Sequence, residues 1–296
     1  MLFSRFCSRV QELLKAELPA AADVELSQSE GSFRIMVRTP ADVLYPSIPL
    51  NRFFDEYHQG LPLNKIVRRI LSLYAAETMH PFCTAADFDS REVFTASLGF
   101  RPASLRLHRG LLPVLPHAVF HEMLFFFTAA LPGEGSDPEL SIVTKEIGSR
   151  FRMSDEALKK AALIASGERL PAVISPLSAY LDKLAKDVPE AERRVAGMTG
   201  NGTKSSFYVL TNEASRFGAA VILYPGMAEK LCRRFGSCYL LPSSVHEFLV
   251  LPDTGADKRP ELKRLIRSAN RSLDDSLLVL SDELYYCDPA NGLQRC

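Results

Sequence analysis

The chain has no surplus of either charge: 35 Lys plus Arg face 35 Asp plus Glu. Nucleic-acid binders draw most of their affinity from neutralising phosphates, so this balance speaks against that class. A long hydrophobic run is also missing. The longest apolar stretch, around Leu124 to Leu131, falls far short of the roughly 20 residues that span a bilayer. The opening Met1–Val10 interrupts its apolar residues with Arg5 and Arg9, unlike a signal peptide. No membrane partner is expected, and the cytoplasm is the expected compartment.

Cysteine is sparse and scattered. The six are Cys7, Cys83, Cys232, Cys238, Cys287 and Cys296, with no C-x-x-C pair and no cluster at ligand spacing. A chain of 296 residues buries roughly three quarters of the surface that its unfolded form exposes, so it needs no disulfides. Reduced, mostly buried thiols in a reducing compartment follow. No metal and no cofactor is expected. What remains is ordinary globular material, 47% hydrophobic and 24% charged, enough for one large domain or two average ones.

The apolar residues Leu2, Phe3, Phe6, Cys7, Val10, Leu13, Leu14 and Leu18 recur at three and four, one stripe of a helix. Val24 and Leu26, then Phe33, Ile35 and Val37, alternate with polar residues about a turn at Gly31, which predicts a hairpin. Helices are expected at about Asn51–His58 and from Leu63 through Tyr74. Residues 84–115 are punctuated by Pro102, Gly110 and Pro113, and a domain boundary is placed near 115. Beyond it, Ala118 to Leu131 reads as one buried strand and Leu140 to Thr144 as another. Ser154 caps a helix ended by Gly167, and Ser175-Pro176 opens the next. Strands follow at Phe207–Leu210 and Ala219–Leu223, a helix from Pro225, a hairpin Cys238–Leu241/Phe248–Leu251, a helix from Pro260 and a last strand at Leu284–Cys287. Ile142–Phe151 and Val209–Phe217 resemble each other, which suggests two strand–turn–helix units sharing one sheet. The fold class expected is α+β: a smaller N-terminal α/β module, 1–115, and a C-terminal domain, 116–296, with a mixed sheet flanked by helices.

Four places invite a chemical reading. Gly197–Ser205 looks like a phosphate loop, but Thr203 separates the last Gly from Lys204, and a helix precedes rather than follows it; a linker fits better. His117 and His121, four apart with Glu122 beside them, could share a metal, yet no third ligand is specified. Ser243, Ser244, His246 and Glu247 combine a nucleophile type, a base type and a carboxylate. Neighbours on a hairpin alternate faces, however, and there is no Gly-x-Ser-x-Gly elbow, so this candidate loop reads as a turn held by serine hydroxyls. Lys258, Arg259, Lys263, Arg264, Arg267 and Arg271 line the outer face of the last long helix as amphipathicity requires.

Phe207–Asn212, Gly218–Gly226 and Leu241–Glu247, continued by Leu249–Asp253, Asn270 and Leu280–Glu283, resemble a bacterial family known as a domain of unknown function, DUF 5688. Weaker likeness runs through Phe53–Tyr57, Leu115–His117 and Ser141–Thr144. Arg271-Ser272 departs from the Thr-Gln that similar proteins carry after the Asn. The resemblance implies no activity, cofactor or catalytic residue. The leading expectation is therefore a non-enzymatic binding or regulatory protein with a protein partner and no nucleic acid. The alternative is a hydrolase or metal-dependent enzyme using His117/His121 or the Ser244–His246–Glu247 loop.

Overall fold

A computed structural model describes residues 2–29, 32–39, 47–77, 88–113, 115–130, 140–187, 207–272 and 278–296. Its contacts divide the chain into two compact units. One comprises Met1–Pro81 with Asp274–Leu277, the other Phe82–Leu273 with Leu278–Cys296.

In the first unit, α1 (Phe3–Glu17), β1 (Asp23–Ser29), β2 (Ser32–Arg38), β3 (Ser47–Pro49), α2 (Asn51–His58) and α3 (Leu63–Glu77) follow in order. The strands form an antiparallel sheet ordered β1-β2-β3. The expected stripe of α1 buries Phe6, Cys7, Val10 and Leu14. They join Val24, Ile35, Val37, Phe53, Ile66 and Ile70 in one core. The alternation read from sequence is what places Val24, Ile35 and Val37 on that inner face.

The second unit holds α4 (Arg91–Ser97), β4 (Leu98–Ser104), α5 (Leu105–His108), β5 (His117–Phe120), β6 (Met123–Ala130), β7 (Leu140–Ile142), α6 (Lys145–Arg150), α7 (Asp155–Arg169) and β8 (Ala172–Pro176). After these come α8 (Leu177–Asp187), β9 (Tyr208–Asn212), α9 (Met227–Phe235), β10 (Cys238–Pro242), β11 (Phe248–Pro252), α10 (Arg259–Ser272), β12 (Tyr285–Asp288) and β13 (Gly292–Arg295). One sheet runs β13-β12-β10-β11-β9-β8; the other runs β4-β6-β5, with β7 paired to β6. Every described strand pair is antiparallel. The class is α+β, but the sheets are antiparallel where a mixed one was expected.

The central strands β10 and β11 are apolar throughout because both their faces are covered. Leu240, Phe248 and Val250 join one core, shared with the second sheet and α7. Tyr239, Leu241, Leu249 and Leu251 join another, with Leu177, Tyr180 and Leu181 of α8 and Leu262 and Ile266 of α10. Ser90, Thr144 and Ser154 cap α4, α6 and α7 by accepting from Val93, Ile147 and Ala157 N–H, which supplies donors that the first helical turn leaves unpaired.

Several expectations are corrected. The boundary expected near residue 115 falls inside the second unit, because β4 pairs along its whole length with β6, from Leu98↔Ala129 to Ser104↔Met123. Ala118–Leu131 is not one strand: His121 and Glu122 turn the chain, and Phe120 pairs with Met123. His121 has φ 54, the positive value that the first position of a tight two-residue hairpin turn can require. Residues 218–223 form a 3-10 helix, Gly218–Leu223, rather than a strand; a short, wholly buried apolar run has no period to tell the two apart. β8 was unforeseen. The two similar segments do not share a sheet, since β7 lies in one and β9 in the other.

Candidate functional site

The most recognisable block of the sequence is the loop from β10 to β11. Its register closes at Pro242↔Phe248, leaving Ser243–Glu247 to reverse the chain. Ser243, Ser244 and Glu247 are 1%, 0% and 0% exposed, so the loop is a plug rather than a surface turn. The Ser244 hydroxyl donates to Glu247 Oε1 at 2.8 Å and accepts from His246 N–H at 3.0 Å. Tyr180 of α8 donates to Glu247 Oε2 at 3.2 Å. Ser243 and Ser244 N–H both point to the Glu247 carbonyl, and Val245 N–H reaches Leu278 O. The His246 ring turns away from Ser244: its Nδ1 accepts from Phe217 N–H at 3.0 Å, which places the proton of a neutral ring on Nε2.

A nucleophile and its base must share a hydrogen bond where substrate can arrive. Here the serine hydroxyl meets a sealed carboxyl and the imidazole meets a backbone amide. The arrangement has the chemistry of a structural clamp.

The clamp extends into the segment after β9. Thr211 Oγ1 donates to His246 O at 2.8 Å. The Asn212 side chain brackets Arg216, donating to its carbonyl at 2.9 Å and accepting from its N–H at 3.3 Å. Ser215 and Phe217 have φ 55 and 51, left-handed values that cost a non-glycine residue energy and persist only where surroundings dictate them. Gly218 follows, and a Cβ there would lie 2.0 Å from Thr211 Oγ1, 2.6 Å from His246 O and 2.7 Å from Asn212 N. Only hydrogen fits.

The effect of that tight turn is to present Arg216 and Phe217 to a crevice. It is lined also by Gly99, Ser166, Arg169 and Tyr224, with a volume of about 20 Å³, enough for roughly one water-sized group. Arg101 and Arg216 hold their guanidinium carbons 4.8 and 5.4 Å from the Phe217 ring centre. At the C-terminus of α7, Arg169 donates through Nη2 to the carbonyls of Ser97 and Leu98. Among the described residues no carboxylate pairs with it. The residue as a whole is exposed, but desolvation of its inner side lowers its pKa; a guanidinium nonetheless stays charged at any physiological pH.

Tyr224 donates to Leu170 O at 3.1 Å. Burial pushes its hydroxyl up to about 12, against the opposing pulls of Ser166 and Arg169; the phenol is neutral at pH 7. The Ser166 hydroxyl lies near enough to favour that phenolate but forms no well-shaped hydrogen bond, and no protein atom satisfies it. Thr128 Oγ1 is likewise buried and unpartnered. Gly99 keeps the floor open: a Cβ on it would come within 3.1 Å of Thr128 Oγ1, 3.7 Å of Arg169 Nη2 and 3.8 Å of Ser166 Oγ.

The other sequence candidates scatter. His117 Nδ1 bonds to Leu115 O at 2.9 Å, while His121 sits in the hairpin turn with its ring 5.5 Å from that of Tyr285. Glu122 pairs with Arg295 at 3.0 Å. No three His, Cys, Asp or Glu side chains among the described residues are grouped to hold a metal. Gly197–Ser205 and Cys83 lie outside the described residues. On α10, Leu262 and Ile266 are buried and Arg264, Arg267 and Arg271 exposed; Arg259 pairs with Asp257 at 2.8 Å. Asn270 donates to Ser281 O and Asp282 Oδ1 at 3.0 and 2.8 Å, which ties the helix to the Leu280–Glu283 segment.

Sequence reasoning passed over Ser166, Arg169, Arg216 and Tyr224. One signal was available: the inner stripe of α7 is Leu158, Ala162, Ala165 and Ser166, a hydroxyl where only apolar contact is called for.

The fold and these sites define an α+β protein whose conspicuous polar loop is a buried clamp, with a small cationic crevice beside it. The chain belongs to a family of unknown function, DUF5688, whose sequence profile matches residues 3–288. No curated protein and no solved structure matches it.

Proposed function

We propose that the protein is a non-enzymatic binding protein of the cytoplasm, and that its crevice takes a small oxyanion, a phosphate or carboxylate group. The observation that carries this reading is the buried Ser166 hydroxyl without a protein partner, set beside an arginine that has no described counter-charge. Such a hydroxyl costs stability unless something fills the site. An oxyanion fits three features together: one of its oxygens matches the volume of the crevice, about 20 Å³, with the rest of the group outside it, Ser166 supplies a neutral donor, and Arg169 supplies charge through nitrogens other than Nη2. Arg216 at the rim adds attraction to the rest of the ligand. No helix among the described residues is long and apolar enough to cross a membrane, and the five described cysteines are free thiols. The free thiols support the placement in a reducing compartment.

Isothermal titration of the whole protein with inorganic phosphate, acetate and chloride tests the proposal and separates the two oxyanion classes. Saturable heat with phosphate or acetate at one site per chain is expected, at least tenfold weaker in Ser166→Ala and in Arg169→Gln. Equal heats in wild type and both variants, or none in any, would overturn it. A water satisfying Ser166 would give the second result.

A further inference from the structure

Three thiols meet on one patch of the six-stranded sheet, and none of them lines the crevice. α9 packs on β10, β12 and β13 and carries Cys232, whose Sγ stands 3.4 Å from Cys287 Sγ of β12. Cys238 of β10 lies directly opposite Cys287 in the ladder. Cys238 and Cys287 are 0% exposed, whereas Cys232 is only partly buried. The pair is 55 residues apart in sequence, and spacing alone gave no hint of it. A disulfide needs sulfurs about 2.05 Å apart, so Cys232 has only about 1.4 Å to move, starting from contact. It sits in the last turn of α9, four residues before Gly236 ends the helix, the turn in which helices fray.

We propose that Cys232 and Cys287 form a redox-modification site, closing to an intramolecular disulfide when a low-molecular-weight disulfide such as oxidised glutathione reaches Cys232. The Cys232 thiolate attacks one sulfur of the reagent, forming a mixed disulfide and releasing the first reagent thiolate. Cys287 then loses its proton and attacks the Cys232 sulfur, releasing the second. Two protein thiols are oxidised, one reagent disulfide is reduced to two thiols, and the two protons lost by the protein go to those products. Burial pushes the Cys232 thiol up to about 11, while a hydrogen bond with Cys238, and after it burial, raises that of Cys287. Little thiolate is then present at neutral pH, and exchange is slow and faster in alkali. The site responds to sustained oxidation rather than to a brief pulse, and the product staples α9 to the sheet.

The test treats the full chain with oxidised glutathione at pH 7 and pH 8.5, blocks remaining thiols in denaturant without reduction, and maps the peptides by mass spectrometry. A Cys232–Cys287 linked peptide is expected, formed several-fold faster at pH 8.5, with a higher melting temperature than the reduced protein. Cys238→Ser should still form it; Cys232→Ser should not, and should leave Cys287 alkylatable after denaturation. A product stalled as glutathione on Cys232, a bridge from Cys287 to Cys238, or no change at Cys232 would each overturn the assignment.

Discussion

Replacing Ser244 by Ala removes one hydroxyl from a site closed to bulk solvent. The hydroxyl donates to Glu247 Oε1 and accepts from His246 N–H, and both Ser244 and Glu247 are 0% exposed. An ordinary turn hydroxyl is worth about 1 kcal/mol. Here a sealed carboxyl oxygen loses a donor and an inner amide loses its acceptor, each worth about 1–3 kcal/mol when left unpaired. Tyr180 still donates to the other carboxyl oxygen, which limits the damage. The expected loss is about 2–4 kcal/mol, a large share of the roughly 5–15 kcal/mol that holds a domain together. It lowers the melting temperature by about 5–12 °C in a unit of this size. Urea unfolding of wild type, Ser244→Ala, Glu247→Leu and the double variant measures it. The double variant should lose clearly less than the sum of the singles, because the serine's partner is already gone. A loss under about 0.5 kcal/mol, or strict additivity, would refute the clamp. Anion binding by the folded Ser244→Ala protein should stay within about twofold of wild type, since the serine does not line the crevice.

Gly218→Ala should cost more than about 3 kcal/mol: two of the three atoms that its Cβ would strike are backbone atoms of His246 and Asn212, which cannot yield as a side chain tip can. Circular-dichroism melts of the variant check this, with Gly110→Ala as comparison, where a Cβ meets nothing within 4 Å and the backbone is not left-handed. His108 has its pKa lowered, chiefly by burial, with a further push from Arg101. The unfolded chain therefore takes up the proton first, and wild-type stability should fall as pH drops below about 6.5 towards the folded value. Stability measured from pH 5 to 8 should show that fall flattened in His108→Gln.

Elements with clean periodicity were legible from sequence. α1 and the β1–β2 hairpin declared their buried faces, and the β10–β11 hairpin followed from two apolar runs about a polar turn. Legibility failed where burial was total. In Ala118–Leu131 a two-residue turn was hidden inside apolar flanks, and in Gly218–Leu223 the core surrounds a 3-10 helix whose side chains carry no pattern. The boundary failed for a different reason: β4 reads as broken by Pro102, yet among the described strands it pairs only with β6, and Pro102 sits in an edge strand where a missing donor is tolerated. The loop Ser243–Glu247 was legible as a specified turn, though not its burial, which depends on Tyr180, Phe217 and Leu278 arriving from distant segments. The crevice was illegible altogether. Its arginines look like solvent charges until the fold gathers them around Phe217 and Ser166.

The most direct measurement of the central claim is the melting temperature of wild type and Ser166→Ala against phosphate concentration at fixed ionic strength. A ligand that binds only the folded state raises stability as the logarithm of its concentration once the site saturates. Wild type should show that rise. Ser166→Ala should melt at or slightly above the wild-type temperature without phosphate, because it loses a buried hydroxyl that no protein atom satisfies, and should gain much less as phosphate is added. Parallel curves for the two proteins, or a Ser166→Ala protein that is markedly less stable from the start, would contradict the account.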